Sequence, residues 1–114
     1  MSSQRYLFAI EACNTTVVAC EACTDACLSA DNNRDLDTCI SLTRDCADIC
    51  RLASRLMERE SALVDEVCRL CAVTCQACAE ECAKYQAPHC QQCVHVCQRC
   101  VEQCEAVAET GEAL

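Results

Sequence analysis

Five cysteines occur at intervals of 3, 4, 3 and 4 in the stretch "CRLCAVTCQACAEEC", which runs from Cys68 to Cys82. Side chains three and four residues apart lie on one face of an α-helix. No glycine or proline interrupts the stretch, so the spacing predicts a helix that presents a row of thiols. Thiolates are soft ligands for Cu(I), Zn²⁺ and iron–sulfur clusters, and the row therefore indicates metal binding.

The same spacing recurs along the chain of 114 residues. There are five Cys-x2-Cys pairs and six Cys-x3-Cys pairs. A single such pair is a weak signal for a metal site, whereas many overlapping pairs are a strong one. All 17 cysteines fall on such stripes and are candidate ligands: Cys13, Cys20, Cys23, Cys27, Cys39, Cys46, Cys50, Cys68, Cys71, Cys75, Cys78, Cys82, Cys90, Cys93, Cys97, Cys100 and Cys104.

Turn signals divide the chain into four helical segments. The breaks are "SADNNRD", "MERES" and Pro88, and Ser61 is a candidate N-cap. Each segment is long enough for a bundle helix, and short connections make successive helices antiparallel. The predicted fold is therefore all-α: one domain over residues 1–114, forming an antiparallel up-down-up-down four-helix bundle with a cysteine-lined core. The predicted helices span about residues 4–30, 34–57, 61–85 and 88–109.

Stacking the four stripes predicts five thiol layers below one apolar layer. The predicted layers are Cys27, Cys39, Cys82 and Cys90; Cys23, Cys78 and Cys93 with Thr43 or Leu42; Cys20, Cys46, Cys75 and Cys97; Cys50, Cys71 and Cys100 with Thr16; Cys13, Cys68 and Cys104 with Ala53; and Ala9, Met57, Val64 and Val107. The apolar layer closes one end of the core. His89 lies at the other end, beside Cys90, where its imidazole is equally suited to ligate a metal or to be a simple surface group.

Three other uses of the thiols fit the sequence less well. A purely structural core would not place 17 small thiols and no leucine on one seam. Disulfides are disfavoured by the odd count, by the reducing cytosol and by the ~5–6 Å between Cβ atoms at helical spacing. Iron–sulfur clusters commonly use a Cys-x2-Cys-x2-Cys run, which the sequence lacks.

Cu(I) and zinc remain as candidate metals. A Zn²⁺ ion with four thiolates has a net charge of −2, and several such units would be costly to bury. Cu(I) with one thiolate is neutral, so bridging thiolates could hold on the order of 17 Cu(I) ions. Zinc stays the main rival, because two predicted layers offer four cysteines each.

The net charge and the hydropathy of the sequence limit the classes of partner that the protein could bind. The formal net charge of −9 disfavours nucleic acid and is compatible with a basic copper chaperone as a partner. No apolar run approaches the ~20 residues of a membrane span, and the N-terminal apolar run is too short for a signal peptide. We therefore expect a cytoplasmic protein without a membrane partner. No catalytic constellation occurs, so an enzyme is not expected; a zinc-thiolate or redox-sensing regulatory bundle that binds few metals is the alternative function.

The chain resembles the cytosolic branch of the four-helix-bundle copper storage proteins. The resemblance is carried by "CTDAC", "CISLTRDCADIC", "CRLCAVTCQACAEEC" and "HCQQCVHVCQRCVEQC" in that order. It implies Cu(I) storage and buffering through core thiolates, a homotetramer, and copper loading at the end that carries His89. The chain departs from the family pattern at Ala9 and Thr16, where members often have cysteines, and at "YQAP", where they have a histidine-rich run.

Overall fold

The computed structural model describes residues 5–113, with side chains described up to residue 109. Four α-helices make up most of this range, and no strand occurs within it. The helices are α1 (Leu7–Leu28), α2 (Asp37–Glu58), α3 (Val64–Cys82) and α4 (Pro88–Ala113), with a 3-10 turn (Asn33–Leu36) before α2. The prediction of an all-α fold is confirmed.

The four helices pack as a ring. Helix α1 packs against α2 and α4, and α3 packs against the same two helices. The connections are too short to cross the bundle, so each helix runs antiparallel to the next. The result is an elongated body of 48 × 20 × 18 Å with its core along the long axis. The predicted up-down-up-down bundle is therefore confirmed.

The connection between α2 and α3 does not contain the helix cap that the sequence predicted. Two residues after the end of α2, Glu60 has a left-handed backbone conformation, with φ of 50°. The Ser61 N–H donates to the Leu56 carbonyl at 2.9 Å, and the Glu60 N–H donates to the Met57 carbonyl at 3.1 Å. This paired pattern is the Schellman motif, which stops a helix and turns the chain.

Ser61 is not the N-cap of α3, and that prediction is wrong. Its hydroxyl accepts a hydrogen bond from the Leu63 N–H at 3.1 Å, and Leu63 itself occupies the N-cap position. Residues 61–63 form the turn that follows the reversal at Glu60, so α3 begins at Val64. The hydroxyl thus stabilises the turn and not the first helical turn.

Pro88 is the first residue of α4. A proline is tolerated there because a first-turn N–H has no partner within the helix. The Ala87 carbonyl accepts hydrogen bonds from the N–H groups of Cys90 and Gln91, at 3.0 and 3.1 Å. Helix α3 ends at Cys82, so Tyr85 lies in the connection rather than in the helix.

Helix α1 is long and apolar enough to cross a membrane by length and composition alone, with a mean hydropathy of 1.2. This value departs from the sequence prediction of no candidate span. Half of the apolar window is buried inside the bundle. The buried half carries the cysteines that face α2 and α4, which is the pattern of a core helix.

Candidate metal centre

All 17 cysteines are buried, and none of them forms a disulfide. Sixteen have no solvent-exposed surface, and Cys90 is 1% exposed. Their 3-4 spacing explains this result, because each helix turns the same face toward the axis of the bundle. The helices thereby bring together every cysteine that the sequence singled out.

The sulfurs are close enough to share metal ions. Across helices, Cys46 Sγ lies 3.4 Å from Cys75 Sγ, and Cys50 Sγ lies 3.5 Å from Cys71 Sγ. At the end that carries His89, Cys39 Sγ lies 3.8 Å from Cys82 Sγ. A metal–sulfur bond of about 2.3 Å lets one ion bridge two sulfurs up to roughly 4.6 Å apart. These sulfur–sulfur distances therefore accommodate bridging ions.

Five groups of three or four thiols have all their sulfurs within 4.8 Å of one another. The groups are Cys13, Cys71, Cys100 and Cys104; Cys20, Cys46, Cys78 and Cys97; Cys23, Cys27, Cys39 and Cys90; Cys50, Cys71, Cys75 and Cys100; and Cys23, Cys82 and Cys93. Cys71, Cys100 and Cys23 each belong to two groups. Sharing therefore joins four of the groups in two pairs. The group of Cys20, Cys46, Cys78 and Cys97 shares no cysteine, but its Cys46 Sγ lies 3.4 Å from Cys75 Sγ of a neighbouring group.

The predicted flat layers are only partly correct. Cys20, Cys46 and Cys97 lie together as predicted, but Cys78 completes their group, while Cys75 contacts Cys46 at 3.4 Å. At the end that carries His89, Cys23 completes the group of Cys27, Cys39 and Cys90, while Cys82 contacts Cys39 at 3.8 Å. Each Cα–Cβ bond tilts toward the N-terminus of its own helix, so sulfurs on antiparallel helices shift in opposite directions. The thiols consequently interdigitate between levels.

Hydroxyl groups occupy two places in the seam. Thr43 is fully buried, whereas Leu42 is only partly buried, so Thr43 faces the core. Its hydroxyl lies 2.7 Å from that of Thr24, which donates to the Cys20 carbonyl at 2.9 Å. Thr16 donates to the Ala12 carbonyl at 2.8 Å. Hydroxyls are hard donors that suit Cu(I) poorly, so these residues interrupt the sulfur array without extending it.

Thr24 was not identified from the sequence, because it lies off the 3-4 stripe of α1. It borders the seam because Thr43 on the facing helix provides a hydrogen-bonding partner. A buried hydroxyl needs such a partner, since an unpaired one is costly. The sequence feature that could have indicated it is Thr43 at an inward position of α2, because a buried hydroxyl needs a hydrogen-bonding neighbour.

The imidazole of His89 lies at the end of the thiol array, as the sequence predicted. His89 is half-buried, and its Nδ1 lies 3.2 Å from Cys23 Sγ and 3.5 Å from Cys90 Sγ. Cys23 is shared by the two groups at this end. His95 on the same helix is exposed, as predicted. The structure thus places one nitrogen donor against the end of the thiol array.

A buried carboxylate lies beside this end. Glu81 is 7% exposed and accepts hydrogen bonds from the Tyr85 hydroxyl and from Lys84 Nζ, both at 2.9 Å. The hydrogen bond to this carboxylate raises the pKa of Tyr85 to about 12, because the bond is made by the protonated phenol. Tyr85 therefore stays neutral and holds Glu81 in place near His89.

Burial and thiol contacts shift the cysteine pKa values in both directions. Burial raises the pKa of Cys27 to about 12, and it also raises the pKa of Cys90. Hydrogen bonds from Cys39 and Cys82, with a smaller one from His89, lower the pKa of Cys23 to about 6. Hydrogen bonds from Cys20 and Cys23 also lower the pKa of Cys93, which belongs to the same sulfur group as Cys23. Cys23 is thus one of two thiols at the end that carries His89 whose pKa is lowered, and a lowered pKa favours the thiolate that binds metal.

A family model described as copper storage protein matches residues 2–109. The chain belongs to the copper storage protein family. Among solved structures of this family, the Cu(I)-bound copper storage protein BsCsp3 of Bacillus is 42% identical, with a TM-score of 0.86, over 95% of this chain and 99% of that chain. A cytosolic copper storage protein from Streptomyces lividans, with five coppers, is 32% identical, with a TM-score of 0.89, over 95% of each chain.

A curated relative gives a shorter match. The uncharacterized cysteine-rich protein YhjQ of Bacillus subtilis is 44% identical over 59 residues. That match covers 52% of this chain and spans only 55% of the relative. The family of this chain therefore follows from the family model and from the solved structures, which cover nearly its whole length.

We predict that the reduced, metal-free protein loses stability as the pH rises above about 9, the ordinary thiol pKa. The pKa of Cys27 is higher in the folded protein than in the unfolded chain, so its stabilising contribution is complete below pH 9 and is lost between pH 9 and about 12. Linkage gives about 1.4 kcal/mol per pH unit for each thiol that ionises only on unfolding. Cys23 has the opposite shift, and its contribution is lost as the pH falls from 9 to about 6.

Thermal melting at pH 8, 9, 10 and 11 in the presence of a non-thiol reductant measures this effect. Cys27→Ala is the matched control, because it removes one raised pKa and should make the alkaline fall in melting temperature shallower. Identical slopes for the variant and the parent would contradict the assignment to Cys27.

Proposed function

We propose that the protein stores and buffers Cu(I) in the cytoplasm, with residues 1–114 acting as a single bundle. The proposed ligands are the 17 core cysteines and His89, and the proposed capacity is on the order of one Cu(I) per cysteine. Membership of the copper storage protein family supports the choice of metal.

One observation carries this proposal: the thiol groups share sulfurs. Cys71 and Cys100 each belong to two groups, and Cys13 Sγ lies 3.7 Å from Cys100 Sγ and 3.8 Å from Cys104 Sγ. A shared thiolate can bridge two Cu(I) ions, and Cu(I) accepts as few as two ligands. Isolated zinc sites need four ligands each, and adjacent groups that share cysteines cannot all supply them.

Charge favours the same metal. Cu(I) and thiolate in equal numbers are neutral, so the array can fill an interior that holds no positive side chain among the described residues. Zinc sites with four thiolates each would bury several net negative charges without compensation. The buried core therefore suits Cu(I), with zinc as the weaker candidate.

Loading is proposed to begin at the end that carries His89. The Nδ1 atom lies beside Cys23, whose pKa is lowered, so a ring nitrogen and a sulfur lie together where an ion would arrive. Thiol contacts and burial raise the pKa of some inner thiols, such as Cys20 and Cys75, and these thiols carry a proton until metal binds. Each one must then release its proton, so copper uptake is expected to weaken at low pH.

Further partners are proposed on less direct grounds. The net charge of −9 suits a basic copper chaperone as donor or acceptor, and the family resemblance suggests a homotetramer. We propose no catalytic role. The buried cysteines offer no exposed, activated thiol of the kind that redox enzymes use.

The first test is an anaerobic titration of the fully reduced protein with Cu(I) against a chromogenic chelator, with Zn²⁺ titrated in parallel. We expect saturation near one Cu(I) per cysteine and far less zinc uptake. The protons released per bound metal should be about one for a bridged Cu(I) array and about four for a zinc tetrathiolate. Saturation at one to four metals, or a preference for zinc, would contradict storage and favour a sensor.

A pair of single substitutions on α3 tests the sharing of sulfurs. Cys71 belongs to two groups and Cys68 to none, although both thiols are fully buried on the same face of the helix. We expect Cys71→Ala to lower the Cu(I) capacity by about two ions, and Cys68→Ala by at most about one, because only the first removes a bridging thiolate. Equal losses, measured by chelator competition, would argue against a connected array.

His89→Ala tests the loading end. We expect stopped-flow uptake of Cu(I) to slow several-fold while the final capacity falls by at most about one ion, because the imidazole acts at the opening of the array. His95→Ala is the control, since His95 is exposed on the same helix and away from the thiols. The proposed loading end is wrong if both variants take up copper at the parental rate.

A further inference from the structure

Cys68 stands apart from the other thiols. It is fully buried, yet it is the one cysteine of the described chain that belongs to none of the five sulfur groups. At its level of the bundle, Cys13 and Cys104 pair with each other at 3.8 Å. The Cys68 thiol interacts with Cys104, and it donates to the thioether of Met57, with Sγ and Sδ 3.8 Å apart. The thiol array therefore ends in a thiol–thioether pair.

Met57 is the largest fully buried side chain of the core. The sequence predicted an apolar packing role for it, in a layer with Ala9 and Val64, and both of these residues are buried as well. Packing alone does not require sulfur, because leucine fills a similar volume. What leucine cannot provide is a soft donor atom facing the last thiol of the array.

We infer that Met57 Sδ and Cys68 Sγ together bind a Cu(I) ion at the closed end of the array. This inference rests on the proposed storage of Cu(I). The 3.8 Å between the two sulfurs is within the span of roughly 4.6 Å that one ion can bridge with bonds of about 2.3 Å. Thioethers and thiolates are both soft ligands suited to Cu(I).

The binding step balances in charge and in protons. The Cys68 S–H bond breaks, its proton passes to solvent, and an Sγ–Cu bond forms. The Met57 thioether contributes a lone pair and loses nothing, and the copper is neither oxidised nor reduced. One Cu(I), one thiolate and one thioether sum to zero charge, which suits a site where both side chains are fully buried.

Selenium substitution tests the inference directly. The sequence has two methionines, Met1 and Met57. Protein grown with selenomethionine and loaded with Cu(I) without oxygen should show a copper neighbour in the fine structure of its selenium X-ray absorption edge. In Met57→Leu the selenium at Met1 is all that remains, so the copper signal should vanish. Chelator competition should also show the loss or weakening of about one Cu(I) per chain in this variant.

The outcomes separate this inference from storage itself. Full Cu(I) loading without a copper neighbour at selenium would overturn ligation by Met57 and leave storage intact. A copper signal that persists in Met57→Leu would come from Met1, and it would also overturn the inference. Uptake of only one to four Cu(I) would refute storage, and the selenium spectrum of the same sample would still decide whether Met57 binds copper.

Discussion

The structure depends on the burial of many thiols along one axis. Free cysteine packs as a small hydrophobe, and a core made of it has few large side chains. Apart from Met57, the fully buried residues are chiefly cysteines, with Ala53 and the threonines Thr16 and Thr43. The same atoms therefore serve as core and as candidate ligands, and a change that affects metal binding also affects packing.

This double role links stability to metal. A core of thiols buries less apolar surface than a core of leucines, so the metal-free bundle has less hydrophobic stabilisation to rely on. Ions that bind the folded array and not the unfolded chain add stability according to their affinity and concentration. A metal-free protein that is modestly stable and a loaded protein that is much more stable follow from this composition.

The two ends of the array differ in their chemistry. At the end that carries His89, Tyr85 holds the buried carboxylate of Glu81, the pKa values of Cys23 and Cys27 are shifted in opposite directions, and the imidazole is partly open to solvent. At the closed end, Met57 and Val64 are buried, and Cys68 contacts a thioether. An ion can therefore gain or lose water and protons at one end, while the other end favours a neutral site. This difference between the two ends supports the proposal that copper enters at the end that carries His89.

The sequence by itself determined the helices, the inward face of each and the identity of the candidate ligands. Helical spacing is a local property, and it places the cysteines of each helix on one face of that helix, whichever helix packs against it. The start of α3 could not be predicted from spacing. It depends on the left-handed conformation of Glu60 and on the hydrogen bond that the Ser61 hydroxyl accepts within the turn, where the sequence suggested an N-cap.

Only the tertiary structure decided which thiols share a group. The stagger of antiparallel helices, and the tilt of each side chain toward its own N-terminus, replaced Cys75 by Cys78 beside Cys20. The same packing paired Thr24 with Thr43 and left Cys68 facing Met57. Such contacts join residues far apart in the chain, and they depend on the axial offset between helices, which helical periodicity does not specify.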